Sequence, residues 1–216
     1  MDAVLFDMDG VLVDSEDHWH DAYRERVFPT VLAGDEWPAP DEVTGRYYLN
    51  TYDYLDEEYD TAVSKDEHER VFNEIAVDLY GERVSLLDGA HDLLDALRDA
   101  GIPTGLVSSS PPDWIGIVTD RFDLEFDVVK SVEQIDGPAK PAPDIYEAAA
   151  AELGVDPADC VVVEDSWAGT TAGDRAGAFV VAIRRSHNAE TDLTAADIVV
   201  NSPEDLRTVL LERLAE

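Results

Sequence analysis

The 216-residue chain has little positive charge. It carries 15 lysines and arginines against 49 aspartates and glutamates, for a formal net charge of −34 and a pI of about 4.1. Lysine is especially scarce, since only Lys65, Lys130 and Lys140 occur. Nucleic acids and anionic membrane surfaces would be repelled by such a chain, so the sequence predicts that neither is a partner.

Cysteine and long apolar runs are scarce as well. Cys160 is the one cysteine of the sequence, which excludes an intramolecular disulfide. Its place in an apolar run predicts a small buried side chain rather than a reactive thiol. No apolar run reaches membrane-spanning length, and the chain starts directly in a predicted strand, which leaves no room for a signal peptide. We therefore expect a cytoplasmic protein.

The acidic residues are spread along the chain rather than gathered in a tail. Hydrophobic residues make up 45% of the sequence, which argues for a globular protein and against disorder. An acid-rich, lysine-poor surface is typical of a halophilic cytoplasmic protein, because molar salt screens the self-repulsion. An ordinary acidic protein adapted to low salt is the alternative.

Short apolar runs alternate with helical patterns over most of the chain. The runs predict strands at Ala3–Phe6, Pro103–Val107, Asp127–Val129, Val161–Val163, Phe179–Ile183 and Ile198–Val200. The intervening patterns predict helices at Ala90–Ala100, Pro112–Arg121, Pro143–Leu153, Ala168–Ala176 and Pro203–Leu214. Strands that are continuous apolar runs are typical of a parallel sheet covered on both faces. The sequence therefore predicts an α/β fold with a doubly wound, mostly parallel, Rossmann-like sheet.

Residues 16–84 break this alternation. They show aromatic and apolar positions at helical spacing and contain no strong strand pattern. We expect a helical insert here, placed after the first strand, with residues 1–15 and 85–216 forming the α/β core. Inserts of this kind commonly act as lids over a site.

The stretch AVLFDMDGVLVDS carries the first chemical signal. A buried strand ends in Asp7 and Asp9, two residues apart and followed by Gly10. Ligands of open α/β sheets bind at the carboxyl ends of the strands, and two carboxylates there are costly unless a cation or a reaction needs them. In so acidic a chain, however, such a pair proves little alone.

Three further segments stand at predicted strand ends or helix starts. They are the serines Ser108 and Ser109 after the second strand, Lys140 in AKPAPDIY, and the pair Glu164 and Asp165 in VVVEDSWAG. Taken singly, each has an ordinary alternative as a loop or solvated residue. At one sheet edge they suit phosphoryl transfer, with carboxylates for Mg²⁺, a cation and hydroxyls for phosphate oxygens, and a carboxylate nucleophile.

The order of these four segments resembles the four motifs of the haloacid dehalogenase-like (HAD) superfamily. The resemblance implies that Asp7 is the nucleophile, that Asp9 is the general acid and base, and that Ser108 and Lys140 bind the phosphoryl group. It implies Mg²⁺ ligation by Asp7, the backbone carbonyl of Asp9 and Asp165, with Glu164 helping directly or through water. It also implies that Asp144 orients Lys140 or its loop, that the Lys140–Pro141 bond is cis, and that the helical insert is a C1-type cap.

The resemblance is strongest to the branch that contains β-phosphoglucomutase and phosphoglycolate phosphatase, whose corresponding segments are similar to KPAPDIY and VVEDSWAG. The resemblance implies a small phosphorylated metabolite as substrate, either a sugar phosphate or a phosphoglycolate-like compound. Gly45 and Arg46 resemble the substrate-facing cap loop, although a solvated arginine is an equal alternative. We expect a monomer or a weak dimer.

The reaction type leaves alternatives open. In β-phosphoglucomutase-like proteins a histidine stands at the position of Trp19, and His18 and His20 are each displaced from it by one residue. This departure favours a phosphatase over a sugar phosphomutase. A non-enzymatic phospho-acceptor domain is a remote alternative, because such domains place the acceptor in mid-chain and lack a large insert.

Overall fold

The core of the fold is a six-stranded, all-parallel sheet. The computed structural model describes residues 1–43 and 47–214, and its strand order is β3-β2-β1-β4-β5-β6. The strands are β1 Ala3–Phe6, β2 Thr104–Ser108, β3 Val128–Ser131, β4 Cys160–Glu164, β5 Phe179–Ile183 and β6 Ile198–Val200. Every residue of β1, β2 and β4 is buried, as expected for central strands covered on both faces. The predicted doubly wound α/β fold is confirmed.

Two central strands run one residue further than the apolar pattern predicts. The prediction ends them at Val107 and Val163, whereas the structure extends them to Ser108 and Glu164. The reason is the main-chain ladder, which pairs Ser108 with Ser131 and continues past the last apolar side chain. Polar side chains are thereby held on the rigid sheet rather than on a loop.

The helices beside the sheet follow the predicted alternation. They are α5 Ala90–Asp99, α6 Pro112–Phe122, α7 Asp144–Leu153, α8 Trp167–Ala176 and α9 Pro203–Arg213. Helix α8 begins after Ser166, whose hydroxyl accepts a hydrogen bond from the Gly169 N–H at 2.9 Å and caps the helix. Cys160 at the start of β4 is buried as predicted, and burial raises the pKa of its thiol to about 11.

Contacts divide the chain into two compact units. The first, which we call the core unit, comprises Met1–Asp14 and Leu86–Glu216, and the second, the helical unit, comprises Ser15–Ser85. The helical unit contains α1 Ser15–Ala22, α2 Phe28–Val31, α3 Tyr48–Glu58 and α4 Lys65–Asp78. Within the described ranges, no helix is long and apolar enough to cross a membrane.

Aromatic side chains form the interior of the helical unit. Trp19 is buried, stacks on Phe72 with ring centroids 5.6 Å apart, and donates its indole N–H to the Tyr80 hydroxyl at 3.0 Å. Tyr23 packs edge-on against Phe72 with centroids 5.8 Å apart. Aromatic pairs of this kind add stability beyond the area they bury. Trp19 is therefore a packing residue of this unit.

Burial of His68 predicts a pH-dependent stability. His68 lies in α4, is fully buried, and approaches the Tyr48 carbonyl with Nε2 at 3.1 Å. Burial lowers the pKa of His68 below its ordinary value of 6.5. The unfolded chain therefore takes up this proton first, so the stability that neutral His68 contributes is complete above pH 6.5 and is lost as the pH falls through the folded-state pKa.

We expect His68→Gln to flatten the acid limb of the stability curve. Glutamine can keep a donor near the Tyr48 carbonyl but does not titrate, so the variant should lose less stability than wild type between about pH 7 and pH 5. Thermal unfolding over this range measures the effect, with the exposed His91→Gln as the matched control. Identical slopes for His68→Gln and wild type would contradict the prediction.

Candidate active site

Polar side chains from three neighbouring strands meet at the carboxyl edge of the sheet. Asp7 follows β1, Ser108 ends β2, and Glu164 ends β4 with Asp165 directly after it. Strand β1 lies between β2 and β4, so Asp7 is central. The strand order reverses between β1 and β4, which is the point where ligands of open α/β sheets bind.

Lys140 is held among these carboxylates. Its Nζ donates to Asp7 Oδ1 at 2.6 Å, to Glu164 Oε1 at 2.7 Å and to the Val107 carbonyl at 3.3 Å. The Lys140 side chain is 6% exposed, and the Asp7 and Glu164 side chains are 10% and 1% exposed. The Lys140–Pro141 peptide bond is cis, as the resemblance implies. The sequence-predicted groups Asp7, Lys140 and Glu164 therefore form one buried ion-pair cluster.

The electrostatics of this cluster are dominated by burial and pairing. Burial raises the pKa of Asp7 well above its ordinary range, and only Lys140 among its charged neighbours opposes the shift. Burial alone would lower the pKa of Lys140, but the carboxylates of Asp7 and Glu164 raise it well above its usual value. Lys140 therefore stays charged and balances part of the negative charge in the site.

Both carboxylate oxygens of Glu164 accept hydrogen bonds that fix its side chain. Oε1 accepts the Tyr146 hydroxyl at 2.6 Å in addition to Lys140, and Oε2 accepts the Asp165 N–H at 3.1 Å and the Ser166 hydroxyl at 3.1 Å. These partners outweigh burial and hold the pKa of Glu164 below its ordinary value. Gly169 of α8 leaves the space this requires, since a Cβ there would lie 1.8 Å from Glu164 Cδ.

Asp9 is positioned by the turn at the end of β2 that contains Ser108, Ser109 and Ser110, which we call the serine turn. The Ser110 hydroxyl donates to Asp9 Oδ2 at 2.9 Å, and the Ser110 N–H donates to Ser108 Oγ at 2.9 Å. The Ser131 hydroxyl fixes the same turn by donating to the Ser110 carbonyl at 2.7 Å. Ser109 lies half-buried between the other two serines. The sequence predicts that Ser108 and Ser109 bind phosphate, and it does not name Ser110, whose hydroxyl contacts Asp9.

Three carboxylates are arranged to hold a cation. Oxygens of Asp7, Glu164 and Asp165 lie within 4.8 Å of one another, and all three residues are buried. Burial also raises the pKa of Asp165 well above its ordinary range, with further contributions from Glu164 and Asp9. Close, buried carboxylate oxygens are the ligands that a hard divalent cation prefers, and such a charge would offset their repulsion. The residues therefore fit a divalent metal.

Asp165 has partners that the sequence reasoning misses. His187 Nε2 lies 2.7 Å from Asp165 Oδ2, and the Asn188 side-chain N–H₂ donates to the Asp165 carbonyl at 2.7 Å. Gly10 has φ +74°, and a Cβ there would lie 1.9 Å from Asp165 Oδ2. The sequence around residues 184–188 has no pattern that predicts these contacts, because the loop comes close to Asp165 only through the pairing of β5 with β4.

The remaining predicted residues lie at the margins of the site. Asp144 begins α7 and lies against Gly137, where a Cβ would come within 2.1 Å of its Oδ1. Its contact is therefore with the loop that carries Lys140. Gly45 and Arg46, predicted to bind substrate, fall outside the described residues.

Comparison with known proteins gives this geometry a family context. Residues 1–177 match the haloacid dehalogenase-like hydrolase family. Hexitol phosphatase B of Escherichia coli strain K12 is 30% identical over 94% of this chain and 93% of its own length. The phosphorylated carbohydrates phosphatase of Thermotoga maritima is 28% identical over 99% of this chain and all of its own.

A solved structure extends the likeness to the fold. β-Phosphoglucomutase from Clostridium difficile superposes with a TM-score of 0.81, covering 99% of this chain and 96% of that chain at 24% identity. At this identity the likeness concerns the fold alone. Sequence and fold thus agree with the buried acidic site, and the chain belongs to the haloacid dehalogenase-like hydrolase family, as an enzyme of its phosphatase type.

Proposed function

We propose that this enzyme is a Mg²⁺-dependent phosphoric monoester hydrolase that forms an aspartyl-phosphate on Asp7. The observation that carries the proposal is the buried cluster in which Asp7 is paired with Lys140 at 2.6 Å and lies beside Asp165 and Glu164. Asp7, Glu164 and Asp165 would hold the metal, together with the Asp9 carbonyl that the resemblance implies. A bound Mg²⁺ would supply positive charge that neutralises these carboxylates and the phosphoryl oxygens.

In the first step, a carboxylate oxygen of Asp7 attacks phosphorus and the ester oxygen of the substrate departs. Lys140 reduces the repulsion between the Asp7 anion and the phosphate dianion, since its ammonium is buried within hydrogen-bond distance of the nucleophile. Asp9 donates its proton to the departing oxygen, which leaves as an alcohol. Ser108 and the serine turn stand at the adjacent strand end, where their hydroxyl and N–H groups can bind phosphoryl oxygens.

In the second step, water hydrolyses the aspartyl-phosphate. Asp9, now a carboxylate, removes a proton from the water, whose oxygen attacks phosphorus while the Asp7–phosphorus bond breaks. Inorganic phosphate is released, and both aspartates return to their starting states. The Ser110 hydroxyl, which donates to Asp9 Oδ2 at 2.9 Å, holds the Asp9 side chain in place for this step.

The relatives support a class of substrate for this enzyme. Both reported phosphatases are named for phosphorylated carbohydrates or hexitols, which supports a small sugar phosphate as substrate here. The helical unit is proposed to act as a C1-type cap over the site, with Gly45 and Arg46 in its substrate-facing loop.

Trp19 favours hydrolysis over the mutase alternative. The position that holds a histidine in β-phosphoglucomutase-like proteins is occupied by an indole that is buried and donates to Tyr80. It therefore has no free group for proton transfer in a mutase cycle. The phosphatases among the relatives also make the non-enzymatic phospho-acceptor alternative the least supported one.

Phosphate release from a panel of substrates tests the function. We expect hydrolysis of sugar phosphates, hexitol phosphates or phosphoglycolate in molar KCl with Mg²⁺, and loss of hydrolysis when the metal is chelated. The mutase alternative is tested with β-glucose 1-phosphate and a bisphosphate primer. Accumulation of glucose 6-phosphate instead of free phosphate would overturn the assignment, and activity that survives chelation would overturn the role of the metal.

The charge balance predicts dependence on salt. A net charge of −34 destabilises the compact state by self-repulsion, which molar salt screens. We expect the midpoint of thermal unfolding to be clearly higher in about 3 M KCl, where screening is strong, than in about 0.1 M KCl, where it is weaker. Equal midpoints would contradict halophilic adaptation. A cytoplasmic location, a monomer or weak dimer, and the lack of a nucleic-acid partner stay predictions.

A further inference from the structure

Two residues of the loop after β5 contact Asp165. His187 Nε2 lies 2.7 Å from Asp165 Oδ2, and the two side chains are 10% and 7% exposed. Asn188 is buried and donates to the carbonyl of the same aspartate at 2.7 Å. One loop therefore contacts both the side chain and the main chain of a proposed metal ligand.

This loop is itself fixed to the sheet. The Asn188 side chain donates a second hydrogen bond to the Ile183 carbonyl at 3.0 Å and accepts one from the Arg185 N–H at 2.6 Å. The Arg184 guanidinium donates to the Asn188 carbonyl at 3.0 Å. His187 is thus presented to Asp165 by an ordered turn, and its position does not depend on the contact with Asp165 alone.

The contact selects one oxygen of Asp165. Oδ2 meets His187 and also lies against Gly10, where a Cβ would be 1.9 Å from Oδ2 and 3.1 Å from His187 Nε2. An ionised carboxylate only accepts hydrogen bonds, so Nε2 must be the donor when Asp165 is a metal ligand. With Oδ2 engaged in this way, rotation of the Asp165 carboxylate is restricted before any cation binds.

We propose that His187 is a positioning residue that sets the Mg²⁺ affinity of the site by fixing Asp165 through Oδ2. The inference rests on the proposed function, because it requires Asp165 to be a metal ligand. In this proposal His187 acts through Asp165 and takes no part in the chemical step. Its effect is to orient the ligand before the cation arrives, and loss of such an outer contact typically weakens metal binding 10- to 100-fold.

Calorimetric titration of the substrate-free enzyme with Mg²⁺ tests the proposal. We expect His187→Ala to raise the dissociation constant about 10- to 100-fold and His187→Gln, which retains an N–H donor, to stay within about 3-fold of wild type. His91→Ala, at an exposed histidine of α5, is the matched control and should bind as wild type does. At saturating Mg²⁺ the turnover of His187→Ala should recover, because affinity rather than chemistry is altered.

The outcomes separate this proposal from the proposed function. Wild-type affinity in His187→Ala, or equal weakening in His187→Gln, would overturn the role of His187 while leaving the metal site intact. No Mg²⁺ binding by the wild-type enzyme would overturn the metal site and this inference with it. Thermal unfolding of each variant, measured beside the titrations, identifies any variant that does not fold, and His187→Gln then decides the question.

Discussion

Asp7→Asn is expected to reduce phosphate release by at least about 1,000-fold, because the amide cannot form the covalent intermediate. Asparagine has nearly the shape of aspartate, and Lys140 keeps its contact with Glu164 at 2.7 Å, so the variant should fold. Release of phosphate from the best substrate of the panel measures the effect.

Asp2→Asn is the control for Asp7→Asn. Asp2 lies in the same N-terminal segment, but its side chain is 66% exposed and far less constrained. We expect this variant to retain wild-type turnover. If Asp7→Asn kept more than about a tenth of the activity, Asp7 would not be the nucleophile, since no other group could replace the covalent step so efficiently.

Lys140→Met is expected to cost both stability and activity. The substitution leaves the buried carboxylates of Asp7 and Glu164 without their shared cation, and breaking a buried pair in this way costs about 3–5 kcal/mol. We also expect turnover to fall at least about 100-fold, because the charge that helps the phosphate approach is lost. Chemical denaturation at fixed KCl concentration measures the first effect and phosphate release the second.

Lys65→Met separates this effect from the general loss of a lysine. Lys65 pairs with Asp53, their side chains are 42% and 62% exposed, and exposed pairs contribute little. The control should therefore lie within about 1 kcal/mol of wild type. A Lys140→Met variant as stable as this control would show that Lys140 does not balance the buried carboxylates. Added Mg²⁺ should restore part of the lost stability, because it binds the same groups.

The sheet could be predicted because its strands are continuous apolar runs. Ala3–Phe6, Phe179–Ile183 and Ile198–Val200 have the bounds that the pattern predicts. The pattern is less informative at strand ends, where backbone pairing carries β2 and β4 on to Ser108 and Glu164. The hydropathy pattern shows where apolar side chains give way to polar ones, whereas backbone hydrogen bonding decides where a strand ends.

The site could be predicted only in part for a different reason. Asp7, Lys140 and Glu164 stand in recognisable segments at strand ends or helix starts, so topology alone brings them to one edge. The sequence pattern predicts an ordinary apolar position of α7 at Tyr146, yet the Tyr146 hydroxyl donates to Glu164. Ser110 and His187 likewise depend on which way a turn points its side chains. Such directions are fixed by tertiary packing and leave no local signature.

The two glycines against the acidic cluster have a consequence for engineering this enzyme. Gly10 and Gly169 bear no functional group, yet any side chain there would displace Asp165 or Glu164. A mutational library that varies the obvious polar residues would therefore overlook two of the least replaceable positions. Redesign of this enzyme should hold both glycines constant.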